Sequence, residues 1–161
     1  MGRKASITAV AACVIAGAFG YLVWLHRSSG SSCDACQRPI HLRSKAVGVV
    51  DGKQQSFCCP ACALTAHRQT GKAVEIRQLT DFDTDTSLNP SSAFIIVGSD
   101  TNHCTAGHVM VDPDKQPSRL AFDRCNPSMI AFAGRAAAEK FMSRHGGTLH
   151  AFTELEASYR Q

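Results

Sequence analysis

Two cysteine clusters constrain this chain more than any other feature: Cys33-x2-Cys36, then 21 residues, then Cys58-Cys59-x2-Cys62. Close cysteine pairs about 20 residues apart are a metal-ligand pattern, because a CxxC turn can aim two thiolates at one ion about 2.3 Å away. The residues between them read as a hairpin. Lys45 to Asp51 ("KAVGVVD") is a strand, "DGK" a turn signal, and Gln55 to Phe57 the returning strand. Pro60 suits a first helical turn, and a helix should run to about Gln69 with Gly71 as its stop. The second cysteine group therefore sits at a helix N-terminus, where the dipole stabilises thiolate charge. Three readings stay open for these five residues: a metal cage, two disulfides, or a redox centre. Thiolate ligands suit Cu(I) and Zn(II) over hard ions. Either Cys58 or Cys59 can complete the cage.

The compartment bears on that choice. Arg3 and Lys4 precede Ile7 to Leu25, 19 residues without charge, ending near Tyr21 and Trp24. That length suits a bilayer-spanning helix, and the flanking charge leaves the N-terminus cytoplasmic and exports the rest. A cleavage site at Ala16 to Ala18 would strand an apolar segment at the new terminus, so an uncleaved single-pass anchor is the expectation. Cys13 then packs as a small apolar residue in the span. The expected organisation is an anchor at 1–26, a linker at 27–32, a cysteine finger at 33–80 and a second unit at 81–161. The soluble part is periplasmic or extracellular. Such a compartment makes the disulfide reading a serious one.

The rest of the chain reads as α+β. Val74 to Leu79 alternates as a strand, Asp81 to Ser92 is a connector, and Ala93 to Ser99 is a buried strand. "HVMV" and "RLAF" read as short strands, as does Ser128 to Phe132. A helix over Gly134 to His145, a strand "TLHAF" and a helical tail complete it. Setting Phe57 on Phe132 aligns Ala61 with Ala136, Ala63 with Ala138, Gly71 with Gly146 and Val74 with Leu149. Two ββαβ-like units with antiparallel sheets follow. The net charge of +4 is weak and scattered, which argues against nucleic acid. No Ser–His–Asp order, phosphate loop or dinucleotide fingerprint supports an enzyme.

The first cysteine unit resembles a treble-clef finger of the heavy-metal-binding TRASH type, whose CxxC, hairpin and F-C-x3-C are matched by Phe57, Cys58 and Cys62. The resemblance covers about 40 residues and implies Cys33, Cys36, Cys58 and Cys62 as ligands. From "DGKQQSFCCPAC" through "QLTDF" and "AFIIVGSD" to "AFAGRAAAEKF…HGG", the chain also resembles the nitrous-oxide reductase accessory (NosL) family. That resemblance implies an exported, membrane-tethered protein that carries Cu(I) to a copper enzyme such as nitrous-oxide reductase, or to its assembly machinery. It further implies Cys125 and His145 as soft-metal ligands, with Met129 in reserve. Cys125 stands where the family usually has methionine, and "QRPI" follows Cys36 where the family has "CGM". Cys104 belongs to the same cluster as a ligand or as a disulfide partner of Cys125.

The expectation is therefore a copper or zinc protein, a metallochaperone or metal-site assembly factor. The alternatives are a structural zinc or metal-sensing module and a thiol-disulfide oxidoreductase.

Overall fold

The computed structural model describes residues 32–104 and 124–160, together with Gly17. The apolar stretch 7–25, the linker before Ser32 and the expected strands "HVMV" and "RLAF" lie outside the described residues. Among the described residues no helix is long and apolar enough to cross a membrane.

The fold is mixed α+β with two small antiparallel sheets. The first contains β1 (Ala46–Val50), β2 (Lys53–Phe57), β3 (Val74–Thr80) and β4 (Ser87–Leu88), in the order β2-β1-β3-β4. The second contains β5 (Phe94–Val97), β6 (Met129–Phe132) and β7 (Thr148–Ala151), in the order β6-β5-β7. Helix α1 (Pro60–Thr70) joins β2 to β3, and α2 (Arg135–His145) joins β6 to β7. A short α3 (Phe152–Tyr159) ends the described chain. Both halves thus place their first strand centrally, flank it with the second and third, and bridge those two with an 11-residue helix. Gly71 and Gly146 close these helices at the same φ of 67°, a left-handed conformation that costs glycine little.

The connector 81–92 is more ordered than its polar sequence suggests. It contains β4 and a 3-10 turn, Pro90–Ser92, whose Ser91 N–H is met by the Asn89 side chain.

The described residues from Ser32 onward form one compact unit. The alternation of β5 and β6 shows why. Ile95, Met129 and Ala131 pack in one cluster with α1 and the first sheet, while Ile96, Ile130 and Phe132 pack in a second with Ala138 and Phe141 of α2. Both faces of the second sheet are covered, so "AFIIV" and "SMIAF" read as unbroken apolar runs rather than alternating ones. In contrast β2 is a polar edge strand with Lys53 and Gln54 exposed.

The halves are tied by one acidic residue. Asp81 is buried, yet its carboxylate accepts from the Ala133 N–H at 3.0 Å and the Thr84 hydroxyl at 2.6 Å. Beside it the Phe82 N–H donates to the Ala131 carbonyl at 2.9 Å.

Candidate metal centre

Three chain segments build the centre. The first is the loop Cys33–Arg38. Its turn closes through the Gln37 N–H to the Cys33 carbonyl, with Gln37 at φ 61°. Asp34 docks it on the end of β2, accepting from the Ser56 N–H at 2.6 Å and donating its own N–H to the Ser56 carbonyl at 2.9 Å. The second is the start of α1, where the Cys59 carbonyl accepts the Ala63 N–H and Pro60 needs no partner for its nitrogen. The third is the segment around Cys125. Arg124 holds it to the first loop through a hydrogen bond to the Ala35 carbonyl, and the Asn102 amide donates to the Cys125 carbonyl at 2.8 Å.

These segments, with Cys104 from the loop after β5, bring together seven cysteines: Cys33, Cys36, Cys58, Cys59, Cys62, Cys104 and Cys125. All are buried except Cys36, which is half-buried. Two groups of four have every sulfur within 4.8 Å of the others: Cys33, Cys36, Cys58 and Cys62, and Cys58, Cys59, Cys62 and Cys125. The Sγ–Sγ separations are 3.5 Å for Cys36–Cys58, Cys58–Cys125 and Cys62–Cys125, and 3.9 Å for Cys58–Cys59. A tetrahedral ion with bonds of about 2.3 Å to sulfur has an S–S edge of about 3.8 Å. The donor set therefore fits a soft four-coordinate metal.

The electrostatics are those of protons shared in a crowded thiol set. Cys33 is held well below the ordinary thiol value by S–H donation from Cys58 and Cys62, against the effect of its own burial. Cys125 is likewise held down, by Cys104 first and then Cys58, Cys59 and Cys62. The donors move the other way. Cys58 is pushed up by its bonds to Cys104, Cys125 and Cys33, and Cys62 by its bonds to Cys125 and Cys33. Cys104 is pushed up chiefly by Cys125, and Cys36 by burial. For Cys59 the lowering influence of Cys104 is outweighed by Cys125 and Cys58. Negative charge can build on only a few sulfurs unless a cation enters, and the Arg38 guanidinium, 3.6 Å from the Cys125 sulfur, offsets part of it.

The four cysteines of the finger pattern are brought together. Cys59 and Cys125 join two of them in the second group, which holds Cys58 and Cys59 together. Cys125 reaches Cys62 across 63 positions of sequence. Cys104 lies in neither group; its thiol donates to the Cys58 carbonyl at 3.5 Å. Met129 is buried in β6 and lines a small cavity with Cys59, Cys104, Cys125 and His103. His145, at the end of α2, is also in neither group. Its Nδ1 faces Asp100 Oδ1 at 2.9 Å and its ring stacks on Phe141 at 4.4 Å. Sequence reasoning did not single out His103 as a site residue. Burial holds it below the ordinary histidine value, and its buried Nε2 has no hydrogen-bond partner among the described residues. Nothing in local spacing marks it, because the environment that buries it comes from Phe82 and His41.

No family model matches the chain. The HTH-type transcriptional repressor CutR of Bacillus subtilis (strain 168) is 24% identical over 125 residues, covering 76% of this chain and 55% of the repressor. The chain thus spans about half the length of the curated relative it matches. Among solved structures, the copper chaperone NosL from Shewanella denitrificans superposes with a TM-score of 0.51 at 16% identity, covering 78% of this chain and 90% of that one. The chain therefore shares its fold with a copper chaperone, around a cysteine cluster able to hold a soft metal ion.

Proposed function

We propose that this protein binds Cu(I) or Zn(II) through its cysteine cluster and serves as an exported, membrane-anchored copper chaperone or metal-site assembly factor of the nitrous-oxide reductase accessory type. The observation that carries the reading is the pair of four-thiol groups with near-tetrahedral edges. The fold shared with a copper chaperone supports it. The charge-free segment 7–25 would supply the tether, and the recipient would be a copper enzyme or its assembly machinery. In this reading the protein handles a metal rather than turning over a substrate.

Delivery by ligand exchange needs an accessible sulfur. Cys36, half-buried, is the least buried member of the cluster, so an acceptor's ligand would enter there. Met129 and His145 are further donors for a labile ion outside the thiol groups. Burial of Cys58, Cys59 and Cys62 to 3% exposure or less favours metal retention over thiol-disulfide exchange, which needs an approachable thiolate.

A second reading is a metal-sensing or structural zinc module, favoured by the similarity to a transcriptional repressor. Metal analysis of the full chain, purified reduced and anaerobic, separates the two. The chaperone reading expects Cu(I) that passes to a competing chelator within minutes while the fold survives, with slower transfer in Cys36→Ser. A single zinc that leaves only on unfolding supports the second reading. A metal-free protein with three disulfides by mass overturns both.

A further inference from the structure

We propose that the cysteines form a dinuclear centre in which Cys58 and Cys62 bridge two thiophilic ions. This inference rests on the metal-binding reading above and adds the number of ions and the role of each sulfur. The two four-thiol groups are not separate sites: they share Cys58 and Cys62. Cys33 and Cys36 complete one, and Cys59 and Cys125 complete the other. Two four-coordinate ions need eight ligand positions, and six thiolates supply eight when two of them bridge. A thiolate sulfur has lone pairs enough to serve two metals.

A single ion accounts for the arrangement poorly. Placed in the first group, it leaves Cys59 and Cys125 as buried thiols 3.9 and 3.5 Å from the ligand Cys58. Placed in the second, it strands Cys33 and Cys36. Either way two of the clustered sulfurs lie within 4.8 Å of metal-bound ones and outside the coordination of the single ion.

Charge is consistent with it: six thiolates carry six negative charges and two divalent ions reduce that to two, the same net charge as one divalent ion on four thiolates with the other two sulfurs protonated. Part of the remainder is offset by Arg38, which lies 3.6 Å from the Cys125 sulfur. The dinuclear centre also gives Cys59 a role that a one-ion finger lacks.

The test uses the full chain, reduced, anaerobic and loaded with ¹¹³Cd(II). The expected result is two ¹¹³Cd resonances per chain in the thiolate-rich region, each split by the other, because scalar coupling between the metals travels through a shared sulfur. Cys125→Ser removes a ligand of one ion only. It should lower cadmium from two per chain to one and leave an unsplit resonance, and Cys33→Ser should do the converse. A wild-type chain that saturates at one ion, or two resonances without mutual splitting, overturns the dinuclear centre and leaves metal binding standing. A Cys125→Ser chain that keeps two coupled ions overturns the ligand assignment. No bound cadmium overturns metal binding itself. The wild-type spectrum decides nuclearity even where a variant fails to fold.

Discussion

At the scale of single residues, Asp81 ties the end of β3 to the end of β6 by polar contact. Its carboxylate is buried and is stabilised by the Ala133 N–H and the Thr84 hydroxyl. Asp81→Ala should cost about 2 kcal/mol, since hydrogen bonds to a charged acceptor contribute roughly 1.5–3 kcal/mol. Urea unfolding of the metal-free chain measures it, and a loss below half that value would assign the link to apolar packing instead. Asp81 stands out in "QLTDF" only as a polar residue after a strand, and its partner Ala133 is 52 positions away. Cys125 is the same case in the candidate site. Its softness as a donor is legible from its residue type, but its neighbours are set by a contact with Arg124, Asn102 and α1 that no local spacing encodes.

At the scale of elements, the repeated ββαβ plan makes the two helix stops comparable. Gly71 and Gly146 share φ 67° and an open space where a Cβ would project, so substitution there tests backbone conformation alone. Gly71→Ala should cost about 1 kcal/mol, roughly 3–6 °C in Tm by calorimetry for a unit of this size. Gly146→Ala should cost more, about 1–3 kcal/mol, because φ 67° with ψ −162° is a backbone conformation that glycine alone adopts readily. A loss at Gly146 no larger than at Gly71 would contradict this. Phe132 belongs to this scale too, because it closes the core between β6 and α2, with Phe82 and Phe141 at ring separations of 5.7 and 5.2 Å. Phe132→Ala should cost about 3–5 kcal/mol, with urea unfolding as the check. The strands and helices themselves were readable. "DGK" is a turn, Pro60 a helix start and Gly146 a stop for local conformational reasons. β4 was not, because two residues of strand have no periodicity and exist only by pairing with β3.

At the scale of the whole unit, the centre joins residues from its beginning, its first helix and its last third. Cys33 and Cys36, Cys58 to Cys62, and Cys125 meet in one core cluster with Leu79, Ile95 and Phe152. Metal binding should then stabilise both halves together, since an ion bound only by the folded state shifts the folding equilibrium as a whole. Removing metal with a strong chelator under reducing conditions should lower Tm by about 10 °C or more, in a single transition seen alike by far-ultraviolet circular dichroism and by histidine resonances of the second half. Melting of residues 33–80 ahead of 93–151 would contradict a shared centre.

The sequence by itself determined what depends on near neighbours: the CxxC loop, the hairpin, the helix that starts at Pro60, and the soft-donor chemistry of so many cysteines. Each follows from turn preferences, capping and residue type, which act over a few positions. The tertiary structure decided which sulfurs share space. Cys58 and Cys59 fall into overlapping groups, Cys125 joins them, and His145 turns to Asp100 instead. Those outcomes depend on how the second sheet buries both its faces, one of them against α1. That packing is a long-range balance of apolar area, and no motif spacing carries it.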